Sequence, residues 1–249
     1  MLISHNHIYR TEGGIWLDWM AQGTRITRNF LHDNKLQDLS LEVNHGPILI
    51  DNNLFLSPEL AQIKLSQGVS FVHNTIAWKI WPTGVKDDRR TPYLTPHSTE
   101  IAGLHDCPCG NTSYFNNLFL RADMTPYNEC LLPVHLEGNL YLSESRPSQY
   151  DLNAQTDSVS NPQIQIIKEK GNWFLSINVN SDWNKCKFIH ISNLGKAQIP
   201  NQTFKRPGVP ETFDKDYTGN KRKKRFISPG AINFSETGIQ KIKVFTSTF

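Results

Sequence analysis

Two carboxylates with matching surroundings carry the chemistry that this sequence offers. Asp18 lies in Gly14-Ile15-Trp16-Leu17-Asp18-Trp19, and Glu42 in Leu39-Ser40-Leu41-Glu42-Val43-Asn44-His45-Gly46-Pro47. In both runs apolar residues take alternate positions, the period of a strand with one buried face. Ile15 and Leu17 share a face, and Trp16 and Asp18 look the other way. Leu39, Leu41 and Val43 point inward and leave Ser40 and Glu42 outside. Neighbouring strands are about 4.8 Å apart, so side-by-side pairing would put the two carboxyl groups on the order of 5 Å from each other. A retaining glycosidase needs roughly 5–5.5 Å between nucleophile and acid/base, and an inverting one needs more. Two carboxylates this close do not both ionise cheaply, so one is expected to keep its proton near neutrality and to be able to give it to a leaving glycosidic oxygen. Trp16, on the same face, offers a platform for a sugar ring.

A repeat would bring the two strands together. An apolar residue, two variable residues, an Asn and further apolar residues recur at Ile3–Asn6, Ile26–Asn29, Ile50–Asn53, Phe71–Asn74, Tyr114–Asn117 and Leu136–Asn139, with steps of 23, 24, 21, 43 and 22 between the Asn positions. Gly23, Gly46 and Gly68 mark the other half of each early coil with nearly the same step. Short strands at this period, with few helix-forming runs, indicate a β-solenoid. Asn suits such a bend because it tolerates left-handed backbone angles and because stacked amides hydrogen-bond from coil to coil. The expected fold is all-β: a right-handed parallel β-helix over residues 1–150, its hand following the rule for parallel connections. Residues 151–249 form a small antiparallel β-rich appendage. Aligning Leu17, Leu41 and Leu65 in one column stacks Asp18, Glu42 and Ser66 on the outer face.

The doubled step between Asn74 and Asn117 holds a degenerate coil or an excursion. Pro82, Asp87-Asp88-Arg89-Arg90, Pro92, Pro96 and Cys107-Pro108-Cys109 favour a loop, and long loops on a rigid scaffold often line sites. After Tyr150 the pattern stops, and Asp151–Asn161 reads as a linker. Ile164–Lys168 and Trp173–Val179 form a hairpin through Lys170-Gly171-Asn172, with further strands at Lys187–Ile191 and Ile239–Phe245. The basic run Lys221-Arg222-Lys223-Lys224-Arg225 reads as a solvated loop without a function of its own.

The chain has 249 residues, 38% of them hydrophobic and 20% charged, and a formal charge of +3. That charge is too mild to argue for nucleic acid or a membrane surface. No stretch is apolar enough to span a bilayer, and the first residues lack the basic start and apolar run of a signal peptide, so a cytoplasmic location is expected. The spacing of Cys107, Cys109, Cys130 and Cys186 does not suit a zinc site; free thiols are expected, or one loop disulfide.

The quoted motifs, with Gln22-Gly23-Thr24-Arg25, Asn29, Asp33-Asn34 and Asp51-Asn52-Asn53-Leu54-Phe55-Leu56, resemble glycoside hydrolase family 120. The likeness continues through Arg89-Arg90-Thr91-Pro92-Tyr93, Pro96-His97-Ser98-Thr99-Glu100 and Asn193-Leu194-Gly195-Lys196-Ala197. These are β-xylosidases on a right-handed parallel β-helix. The resemblance implies that Asp18 is the nucleophile and Glu42 the acid/base in cleaving xylo-oligosaccharides, without metal or cofactor. Trp16, His45, His97 and Glu100 are expected to bind substrate. Family members are longer, with further coils and an inserted β-sandwich before the nucleophile strand, so the chain corresponds to their C-terminal, catalytic-residue-bearing part and is expected to need the upstream coils for activity. Ser40 stands where a larger residue is expected. Read from the pattern of the residues alone, three alternatives stay open: acids stacked by chance on a surface, a non-catalytic carbohydrate-binding β-helix, and a calcium-dependent polysaccharide lyase of the pectate lyase kind. The lyase needs more carboxylates in the column and an outward basic residue, and Ser66 counts against it.

Overall fold

Each alternating run becomes a short strand, and successive coils lay these strands on top of one another in parallel sheets. The computed structural model describes residues 1–57, 61–77, 79–83, 90–95, 98–183, 193–199, 201, 204, 212–222, 227–234 and 236–247. The first sheet stacks β1 (Leu2–Ser4), β4 (Thr24–Thr27), β7 (Ile48–Asp51), β10 (Val69–Val72), β15 (Thr112–Phe115) and β17 (Val134–Glu137). The second stacks β2 (His7–Tyr9), β5 (Phe30–His32), β8 (Leu54–Phe55), β11 (Thr75–Ile76), β16 (Leu118–Phe119), β18 (Leu140–Leu142) and β19 (Gln155–Asp157). The third holds β3 (Gly13–Asp18), β6 (Gln37–Glu42), β9 (Ala61–Lys64) and β12 (Ile80–Thr83). The chain is therefore the expected parallel β-solenoid.

The apolar residue of the repeat forms one unbroken column, Ile3–Ile26–Ile50–Phe71–Tyr114–Leu136, in consecutive register. Phe71 and Tyr114 stack with ring centroids 4.6 Å apart. Beside this column the repeat Asn residues form a ladder: Nδ2 of Asn6, Asn29, Asn53, Asn74 and Asn117 each donates to Oδ1 of the next Asn at 2.9–3.0 Å. Asn139 ends it on Asp151 Oδ2 at 2.8 Å. The same Oδ1 atoms accept backbone N–H groups, and each Nδ2 from Asn29 on also caps a strand carbonyl, as Asn53 does at Ile26. The bend residues' polar groups are thus met inside the fold, where each one left unmet would cost about 1–3 kcal/mol.

The reason for Asn at this position is narrower than expected. The left-handed angles belong to the residue before it, His5, Arg28, Asn52, His73, Asn116 and Gly138, all with φ between 53° and 69°. The ladder Asn is required for its amide and not for its backbone.

Asn74 bonds directly to Asn117, and β10 and β11 pair with β15 and β16, so the doubled step is an excursion and no coil is missing. Its described part is an antiparallel hairpin of β13 (Arg90–Leu94) and β14 (Ile101–Asp106). At the other end, the expected linker holds β19, which extends the second sheet to Asp157. Beyond it, β20 (Gln165–Glu169), β21 (Asn172–Val179) and β22 (Gly238–Thr246) form the antiparallel C-terminal sheet. Trp173, Leu175, Ile177 and Val244 from this sheet share a buried cluster with Phe30, Leu54, Leu118 and Leu140 of the solenoid. The strand expected at Lys187–Ile191 lies outside the described residues, as does Cys186. Cys107, Cys109 and Cys130 are free thiols. No helix among the described residues is long and apolar enough to cross a membrane.

Candidate active site

β3 comes close to β6 because residue 14 has no side chain: a Cβ on Gly14 would lie 2.3 Å from the Asp38 carbonyl oxygen and 2.7 Å from Leu31 Cδ2. The pairing is Ile15 with Leu39, Trp16 with Ser40, Leu17 with Leu41, and Asp18 with Glu42. The odd positions are buried, and Asp18 and Glu42 stand as direct neighbours on the outer face. Asn44 fixes the end of the strand, donating from Nδ2 to Leu17 O at 3.0 Å and accepting from Ala21 N at 3.2 Å. Asp18 is exposed and accepts from Trp19 N at 2.9 Å through Oδ1. Trp16 is 62% exposed beside it. Ser40, between Trp16 and Gln62, is buried.

The third coil differs from the expected alignment by two residues. Leu41 pairs with Ile63 and Glu42 with Lys64, so the outer column reads Asp18–Glu42–Lys64. Ser66 instead lies under Asn44, whose backbone N donates to its Oγ at 3.3 Å. Lys64 Nζ is 2.8 Å from Glu42 Oε1, in an ion pair whose side chains are 27% and 19% exposed. A signal for this was present in the sequence: Gly46 to Gly68 is a step of 22, and 22 from Glu42 is Lys64.

Asp38, also not singled out from sequence, is the second residue of β6 and fully buried. It accepts from Ser57 Oγ at 2.6 Å, Asn34 Nδ2 at 2.8 Å and Ser57 N at 3.0 Å. Burial raises its carboxyl above the usual range, against the pull of these bonds. It clamps the corner before the acid strand.

The excursion hairpin is anchored on the turns that follow the acid strands. Gln22 Nε2 donates to Thr95 O at 3.1 Å, and His45 Nε2 and Thr91 Oγ1 are 3.1 Å apart. The rings of His45 and Tyr93 lie 3.8 Å apart. Gln67 joins two segments, donating from Nε2 to Tyr93 Oη at 3.0 Å and accepting from Gln198 N at 3.1 Å. His45 is therefore buried under the hairpin, and its pKa is lowered to about 4 by burial and by His105. Among the described residues, its Nδ1 has no hydrogen-bond partner. Glu100 is exposed just before β14, its backbone paired with Thr95 and Ser98. His97 lies outside the described residues.

Among the described residues no group of three or more His, Cys, Asp or Glu could hold a metal ion. A surface cavity of about 1010 Å³ lies elsewhere, over β15 and β17, lined by His135, Glu137 and the Asn193–Gln198 segment. The acid column stands outside it on its own sheet.

No protein-family model matches the chain, and no curated protein does. A solved structure described as the complex of XylC with xylose does, with a TM-score of 0.87 and 28% identity. The match takes in 98% of this chain and 43% of the XylC chain, so the chain spans less than half the length of that relative. By its motifs and by this fold, the chain is similar to the glycoside hydrolase family 120 β-xylosidases.

Proposed function

We propose that this chain carries the catalytic centre of a retaining β-xylosidase acting on xylo-oligosaccharides. The observation that carries the reading is the register of Asp18 against Glu42 on one face of a fold shared with a xylose-bound protein. Asp18 Oδ attacks the anomeric carbon while Glu42 gives its proton to the leaving oxygen, forming a xylosyl ester. Glu42 then takes a proton from water, whose oxygen attacks the same carbon and releases Asp18 as carboxylate. Trp16 stacks on a sugar ring. Glu100, and on the motif resemblance His97, supply hydroxyl contacts, and His45 contributes by seating Thr91 and Tyr93 of the hairpin.

The test is hydrolysis of an aryl β-xyloside followed by NMR of the first-formed anomer, with Asp18→Gly and Glu42→Gln alongside. Retention of the β-configuration is expected. Glu42→Gln should lose on the order of 10²–10⁴-fold on a poor leaving group and much less on an activated one. Asp18→Gly should regain turnover with azide, giving the α-azide. Inversion in the parent chain, or activity that survives Asp18→Gly without azide, would overturn the assignment.

One observation favours a second reading. Lys64 is the outward basic residue that a polysaccharide lyase needs, and Ser66 no longer argues against it. The carboxylate cluster for calcium is absent among the described residues, which favours the hydrolase. Incubation with polygalacturonate and calcium separates the two, since a lyase produces an unsaturated, ultraviolet-absorbing end.

A further inference from the structure

Resting on the reading of Asp18 and Glu42 above, we propose that Lys64 is a positioning residue of the same reaction, acting through Glu42 in its second half. Lys64 is the third member of the column, in register on the side of Glu42 away from Asp18. Its Nζ holds Oε1 at 2.8 Å, and among the described residues nothing bonds Oε2, the oxygen left to handle the proton. The next position in the column is Thr83, and the neighbouring outward positions are Trp16, Ser40 and Gln62. Among the described residues, the charged positions next to Glu42 in this column are therefore Asp18 and Lys64, of opposite sign. Asp38, further along β6, is enclosed by Ser57 and Asn34.

The balance changes during turnover. Before the first step the Asp18 carboxylate and the Lys64 ammonium flank Glu42 and oppose each other. Once Asp18 is a xylosyl ester its charge is gone, while the Lys64 ion pair with Glu42 stays. A neighbouring cation favours the carboxylate form, which is the form that takes the proton from water. Lys64 thus holds Oε1 of Glu42 in place through the second step and leaves Oε2 to take the proton from water. A merely structural ion pair of this exposure would contribute little to stability and would leave the two half-reactions in proportion.

The experiment compares the parent chain, Lys64→Met and Lys64→Arg on a dinitrophenyl β-xyloside, whose leaving group departs without acid help. For Lys64→Met, kcat should fall about tenfold or more while KM falls with it, leaving kcat/KM within about twofold. Acid-quenched samples should show the chain one xylosyl unit heavier. Lys64→Arg should restore most of the loss. A parallel fall of kcat and kcat/KM without accumulated ester, or parent-like kinetics, would overturn the role of Lys64. Labelling of the parent by a 2-deoxy-2-fluoro-β-xylosyl fluoride separates the two claims. If Asp18 is labelled and Lys64→Met behaves as the parent, only Lys64 is wrong; if Asp18 is not labelled, the underlying reading fails and this one with it.

Discussion

At the scale of single residues, the ladder asparagines do more for the fold than their frequency suggests. Asn53 shows the full pattern: Oδ1 accepts Asn29 N and Nδ2, while its own Nδ2 donates to Ile26 O, Asp51 O and Asn74 Oδ1. All of these atoms are buried, so Asn53→Ala removes one side chain and strands polar groups on two coils. Each stranded group costs about 1–3 kcal/mol, so a loss of at least about 3 kcal/mol is expected. Urea unfolding of the variant against the parent checks this, and a change below about 1 kcal/mol would mean that water replaces the ladder. The buried Arg222 illustrates the opposite surprise. It lies in a basic run that reads as solvated, yet it donates to Asn52 Oδ1 and to the carbonyls of Ser228, Gly230 and Ala231. Nothing in the basic run itself marks it, because its partners lie outside the run and are mostly backbone carbonyls.

At the scale of elements, what the sequence revealed was whatever repeats. The column from Ile3 to Leu136 and the hairpin around Lys170-Gly171 follow from periodicity and turn chemistry, which are local. The column of Asp18 and Glu42 was legible for the same reason. The place of Lys64 was not, because coils differ in length: the step is 24 from Leu17 to Leu41 but 22 from Leu41 to Ile63, and alignment on leucines alone hides the change. Least legible was the excursion, whose seat depends on side chains from three separate turns. Tyr93 is its main anchor, packed on His45 and bonded through its hydroxyl to Gln67 and to Asp106 O. Tyr93→Ala should free the hairpin while the solenoid stays folded, since large aromatic truncations in packed sites cost about 3–5 kcal/mol and the loss falls on one locally opening unit. Limited proteolysis is expected to cut between residues 90 and 106 much faster than in the parent, with the main unfolding transition little changed. Loss of the whole transition would show that the hairpin is part of the solenoid's own stability.

At the scale of the molecule, the contact between solenoid and C-terminal sheet is built around histidines. His7 and His32 face each other through Nε2 at 2.8 Å, and His32 Nδ1 meets Asp33 at 2.9 Å. The His7 ring stacks on Tyr9 and Phe30 and meets Trp173 and Phe245 of the appended sheet. Its pKa is lowered to about 4 by burial, by His32 and by Lys168. His45 is also lowered to about 4, and burial pushes His5, His32 and His73 down as well. A histidine whose folded pKa lies below 6.5 takes up protons first in the unfolded chain, so its contribution is complete above pH 6.5 and is lost as pH falls toward 4. Asp38 and Asp151, raised by burial, act in the opposite sense, but five histidines set the slope against two carboxyls. Stability should therefore drop between pH 6.5 and 4. Urea midpoints measured across that range should fall steadily with acid, and His7→Phe, which keeps the ring packing without the titrating group, should flatten the slope. A profile unchanged by His7→Phe would assign the acid sensitivity to the other lowered histidines, His45 under its hairpin and the buried His73 among them, instead of to His7 at the contact between the two sheets.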